Sequence, residues 1–134
     1  MTRVIETLET ILEIAPDARP QKGAKRSSQW DEVRDVFIAE HSACAVCGGK
    51  ERLNVHHVIP FEFGGPELDP DNLITLCCGT FNCHLLFGHL GDYKSMNPLV
   101  RSDAAQWRFR FSARRTLTRM AKRELKELRK EQTP

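Results

Sequence analysis

The chain has no apolar run approaching the roughly 20 residues needed to span a bilayer, no internal repeat and no low-complexity segment. A helical membrane protein and a repeat array are excluded on that ground. The opening stretch, "MTRVIETLETILEI", alternates acidic and apolar residues. It lacks the basic n-region, compact apolar h-region and small-residue cleavage site of a signal peptide. The expected location is therefore a reducing cytoplasm, where clustered cysteines point to metal rather than to disulfides. With 134 residues, 28% charged and 40% apolar, the chain has the size and composition of one soluble globular domain with helical extensions.

Net charge is also nearly lacking, at +2, but its distribution is uneven. Residues 101–134 carry 11 Lys+Arg against 4 Asp+Glu, or +7, and residues 1–100 carry 9 against 14, or −5. A basic tail on an acidic body suggests a polyanionic partner. The alternative is a solvated helix face.

Apolar spacing predicts an amphipathic helix over residues 2–14, with Val4, Ile5, Leu8, Ile11 and Leu12 on one side. Pro16 and Pro20 stop it, and "PDARPQKGAKRSS" reads as a polar, basic linker. Ser28 is positioned to cap a second helix, "SQWDEVRDVFIAEH", whose buried face would hold Trp30, Val33, Val36, Phe37 and Ile38. Short strands are expected at Leu53–Val58 and Asn72–Leu76, separated by the Gly/Pro-rich loop "IPFEFGGPELDPD". A further helix should start near Asn82. Ser102 can cap a last one, from Asp103 to about Lys130, with a break near Phe109–Ser112. Three regions follow: a helix and basic linker at 1–26, a central domain at 27–107 with its core at 44–89, and a basic helix at 108–134.

Five cysteines occur, at 44, 47, 77, 78 and 83. Cys44-x-x-Cys47 followed by Gly48-Gly49 is a zinc knuckle, in which two thiolates reach one ion and the glycines permit the tight turn. Cys44, Cys47, Cys77 and Cys83 are the chosen set. Spacing alone admits Cys78 in place of Cys77. Four thiolates close a zinc site and leave no position for substrate, so this site is structural. A thioredoxin-like redox pair would need a βαβ context, which the pattern does not supply.

Of the five histidines, His41 ends the second helix, where a cation suits the helix dipole. The other four lie in the cysteine-bounded segment. Their order is Cys-x-x-Cys, "VHHVIPF", "LDPDNLITLC" and "CHLLFGH". This order resembles the HNH endonucleases over residues 44–89, with a looser similarity from Ser27 to Trp107 to the small HNH proteins common in phage genomes. The resemblance implies an α+β fold: a ββα-metal core, of the HNH or His-Me finger kind, with a zinc knuckle and flanking N- and C-terminal helices.

Carried over by position, the resemblance makes His57 the general base, a role that suits imidazole because its ordinary pKa lies near neutrality. It makes His56, His84 and His89 ligands of a catalytic divalent ion, with His84 the helix residue of the motif. Asn72 is the Asn of the HNH pattern, able to pin the loop after the first strand through its amide. Many relatives have Asp where His56 stands, and many have two residues in the interval that holds five here, from Cys77 to Cys83. His84 and His89 are five apart, roughly 140° around an ideal α-helix, so His89 fits the pattern less well than His84.

The function implied is metal-dependent hydrolysis of double-stranded DNA, by nicking or double-strand cleavage, in a bacterial or phage setting. A structural Zn2+ and a catalytic Mg2+, Mn2+, Ni2+, Co2+ or Zn2+ are the expected cofactors. Lys22, Lys25 and Arg26 of the linker, and Arg114, Arg115, Arg119, Lys122 and Arg123 of the tail, are expected to hold phosphates without reading sequence. Two other classes fit the cysteines and the tail: a zinc-stabilised DNA-binding module without catalysis, and an interaction protein associated with phage packaging (terminase) proteins. Neither needs His56, His57 and His84 together.

Overall fold

Two short strands frame the centre of the molecule. β1 (Leu53–His57) and β2 (Leu73–Cys77) pair antiparallel, with Leu53 opposite Cys77 and His57 opposite Leu73. The computed structural model describes residues 2–16, 19, 23, 25–79 and 81–133; Lys22 lies outside them. Helices precede and follow this sheet, which makes the fold α+β as expected. Among the described residues, no helix is long and apolar enough to cross a membrane.

Side chains alternate across a strand, and β1 uses both faces. Val55 and His57 turn toward helix α2 (Trp30–Glu40), where Trp30, Phe37 and Leu73 form a small core. His56 turns the other way, toward a single π-helical turn at His84–Gly88. All five residues of β2 are buried. A larger core beneath it joins Val46, Val58, Ile59, Leu76, Val100 and Ala104 to the cysteines. On α2, Trp30 and Phe37 are buried and Val33 partly so, whereas Val36 is exposed.

The loop between the strands is held from inside. Asn72 is fully buried; its Oδ1 accepts from Ile59 N at 2.8 Å, and its Nδ2 donates to Ile59 O and Pro66 O, both at 2.9 Å. One amide thus closes both ends of the loop that follows His57, with every polar atom satisfied.

The helices differ from expectation at their starts. α2 begins at Trp30, and the Ser27 hydroxyl, not that of Ser28, accepts from Gln29 N at 3.2 Å. Helix α3 runs unbroken from Val100 to Glu131 and is not capped by Ser102. Asn97 organises its start instead: its Oδ1 accepts from Leu99 N, and its Nδ2 bridges Phe87 O and Asp103 Oδ2. No break occurs at Phe109–Ser112, because that stretch contains neither Gly nor Pro and Phe111 packs toward Trp107 and Phe81. α3 therefore carries the central domain into the basic tail as one rod.

Helix α1 (Thr2–Ile14) has no buried residue. Ile11 and Ile14 touch the larger core, and Arg3 pairs with Asp103 at 2.9 Å, while Val4, Ile5, Leu8 and Leu12 stay exposed.

Candidate metal centres and active site

Four cysteines converge where the knuckle meets the end of β2. The Sγ atoms of Cys44, Cys47, Cys77 and Cys83 lie within 4.8 Å of one another, and all four residues are buried. Cys47 and Cys77 are 3.7 Å apart at sulfur. Two thiolates about 2.3 Å from one tetrahedral ion would stand roughly 3.8 Å apart, so the spacing fits zinc. Gly48 makes the turn at φ +75°, and a Cβ there would strike the Arg108 guanidinium. Arg115 donates to Cys47 O at 2.8 Å. These two arginines bring α3 over a cluster that would carry net negative charge around zinc.

The thiols resist ionising together. A hydrogen bond from Cys83 lowers Cys44 to about 4; burial pushes Cys47 up, and Cys83 is raised by its bond to Cys44. Ionising all four requires a cation in their midst.

A second cluster lies on the other side of the sheet. Ring nitrogens of His56, His84 and His89 fall within 4.8 Å of one another. The Nε2 atoms of His84 and His89 face each other at 3.3 Å. Both are free to ligate: His89 Nδ1 donates to Ser95 O at 2.9 Å, and His84 Nδ1 points at Cys78 Sγ at 3.5 Å. His56 is buried with its Nε2 unpartnered. Burial, and then its two imidazole neighbours, push its pKa down to about 3; burial likewise lowers His84. Three bare imidazoles facing a common point fit a divalent ion, with no carboxylate among them.

The five-residue spacing is resolved by the π-helix, whose i→i+5 pattern sets residues five apart on one face. A π turn is wide, and Gly88 lets its backbone lie on the His56 ring, where a Cβ would be 3.0 Å from Cε1. That spacing was the one sequence signal for this turn. Gly88, Asn97, Ser95 and Cys78 were not read from the sequence as parts of the site, since each acts through tertiary contact.

His57 is not in this cluster. Its ring packs on Trp30 at 4.5 Å between centroids, and its Nε2 donates to Glu67 O at 2.9 Å. That bond puts the proton on Nε2 and leaves Nδ1 as a lone pair, which has no partner among the described residues. Burial lowers the pKa of His57, and Arg26 adds to the effect. The pair at 56 and 57 occupies the last two positions of β1, one residue on each face.

Residues 44–88 match the family model described as HNH endonuclease. They form an HNH domain. Neither the curated proteins nor the solved structures show a match to the chain. The HNH match runs from the first cysteine of the four-cysteine cluster to the end of the π-helix, and His89 stands one residue beyond it. The family is one of nucleases, and the terminal helices lie outside the matched segment.

The basic residues divide into two groups around the HNH domain. Arg26 lies over the Trp30 ring at 4.9 Å, beside His57, and Lys25 is exposed. Arg114, Arg115, Arg119 and Lys122 line a cleft of about 1220 Å³ between α3 and the knuckle, joined by Lys50, Arg52, Phe81 and Phe111 and opposed by Glu51. Arg123 is exposed on α3 outside this lining.

Proposed function

We propose that the protein is a divalent-metal-dependent endonuclease that hydrolyses phosphodiester bonds of double-stranded DNA. The observation that carries this reading is the convergence of His56 and His84, within the HNH domain, with His89, one residue beyond it. These three residues would hold the ion, which when bound supplies Lewis-acid stabilisation of charge on the phosphate and the leaving 3′ oxygen. β1 ends at His57, so a phosphate lying across the strand end would reach both the ion and His57, which acts as general base through Nδ1 and takes a proton as a water oxygen attacks phosphorus. The bond to the 3′ oxygen breaks in line, that oxygen takes a proton from solvent water, and the products carry a 5′-phosphate and a 3′-hydroxyl. Asn72 keeps the loop that presents Glu67 O to His57 in place. Cys44, Cys47, Cys77 and Cys83 hold a structural zinc, and their reduced thiols suit a cytoplasmic location.

Supercoiled plasmid is the test. Imidazole ligands suit nickel, cobalt and related ions better than magnesium, which prefers oxygen. Manganese, nickel or cobalt should support nicking at least as well as magnesium at equal concentration. His56→Asp should move the balance back toward magnesium. No cleavage by folded, zinc-replete protein with any of these ions would refute catalysis. Activity with magnesium alone, unchanged by His56→Asp, would remove His56 from the ligand set.

The cleft beside α3 is the proposed path of the DNA backbone. Deleting residues 114–134 removes 8 Lys+Arg and 3 Asp+Glu, a net loss of five positive charges. Binding should weaken and its dependence on salt should flatten, since fewer counterions are released. A salt slope equal to that of the full chain would give the tail a different role.

A further inference from the structure

One cysteine is left over from the zinc cluster. Cys78 follows Cys77 directly, and its N–H donates to Arg52 O at 2.8 Å, which extends the strand pairing by one bond. Alternation then turns its side chain away from the four thiols. Its sulfur meets two other groups: Asn54 Nδ2 donates to it at 2.7 Å, and His84 Nδ1 lies 3.5 Å away. With an ion between His84 Nε2 and His89 Nε2, which lie 3.3 Å apart, the His84 proton would belong on Nδ1, where sulfur would accept it.

Each imidazole of the cluster is oriented by a different device. His89 is held by Ser95 O, and His56 is packed against the backbone of Gly88. Among the described residues, His84 makes no hydrogen bond outside the cluster except the one to Cys78. His56, buried with an unpartnered Nε2, independently marks the cluster as a place for a ligand.

We propose that Cys78 is a positioning residue for the catalytic ion: its sulfur, itself oriented by Asn54, holds His84 with Nε2 bare and turned toward His56 and His89. The proposal rests on the reading of the histidine cluster as an ion site. Groups behind metal-binding histidines fix their tautomer and angle, and their loss typically costs about 10–100-fold in metal affinity.

The test is titration of zinc-replete, full-length protein with cobalt, followed by calorimetry and by the visible spectrum of the bound ion. Cys78→Ala should weaken cobalt binding by about 10–100-fold and alter the cobalt spectrum, with one zinc per chain retained. Cys78→Ser, whose hydroxyl can accept from the same N–H, should recover most of the affinity. Asn54→Ala should weaken binding in the same direction and by less. Wild-type cobalt affinity and spectrum in Cys78→Ala would overturn the proposal. If Cys78→Ala loses zinc, Asn54→Ala decides, and an unchanged affinity and spectrum there overturns it. A wild type that takes up no cobalt, or a His56→Ala variant that binds it undiminished, would instead overturn the reading of the histidine cluster and the proposal with it.

Discussion

Replacing His57 with alanine is expected to lower DNA cleavage by about 10²–10⁴-fold while fold and DNA binding persist, the usual cost of losing a general base. The hydrogen bonding of this residue fits the proposed task. The carbonyl of Glu67 can only accept, so Nε2 of His57 carries the proton and Nδ1 is the basic lone pair. Burial depresses its pKa below the ordinary histidine value, which keeps the ring neutral and able to accept a proton at neutral pH. The mutation also removes a ring that packs on Trp30. A melting curve must therefore accompany the kinetics. A folded His57→Ala variant that cleaves at near the wild-type rate would remove His57 from catalysis.

Loss of the zinc cluster should be more damaging to the fold. Cys44→Ser and Cys83→Ser are each expected to lose the bound zinc and to melt well below wild type, with much of the knuckle unfolding. In zinc-finger peptides, metal binding is worth about 10–16 kcal/mol and is effectively the folding energy. Here Cys44 and Cys83 are almost fully buried and join the knuckle, the end of β2 and the start of the π-helix in one core. Cys78→Ser should retain its zinc, because Cys78 stands outside the cluster. Elemental analysis and thermal melts decide the matter. Full zinc and an unchanged melting temperature in both Cys44→Ser and Cys83→Ser would refute the four-thiolate site.

Much of this architecture was legible because it is written in short-range pattern. Cys-x-x-Cys-Gly-Gly announces a knuckle through the turn it needs, and alternating or continuous apolar runs marked both strands to within a residue. Helix starts were less legible. Ser28 and Ser102 have the right chemistry for caps, yet neither helix has a side-chain cap; Ser27 and Asn97 instead fix the turn just before each helix, through Gln29 N and Leu99 N, because the surrounding chain, not the residue type, sets which side chain reaches which N–H. The face of α1 was legible as a pattern, but its orientation was not: Val4, Ile5, Leu8 and Leu12 remain exposed.

The α+β class, the order of the chemical groups and the HNH pattern between Cys44 and Gly88 can be read from the chain alone. Those properties depend on residue type and local spacing. Only the tertiary structure decided which thiols share a site. Cys77 and Cys78 are equivalent by spacing, but strand alternation sends one to the four-cysteine cluster and the other to His84. It also brought His84 and His89 side by side, because a π turn packed through Gly88 onto His56 replaces the α-helical turn that would separate them. It parted His56 from His57 as well, since successive side chains of a paired strand must leave by opposite faces.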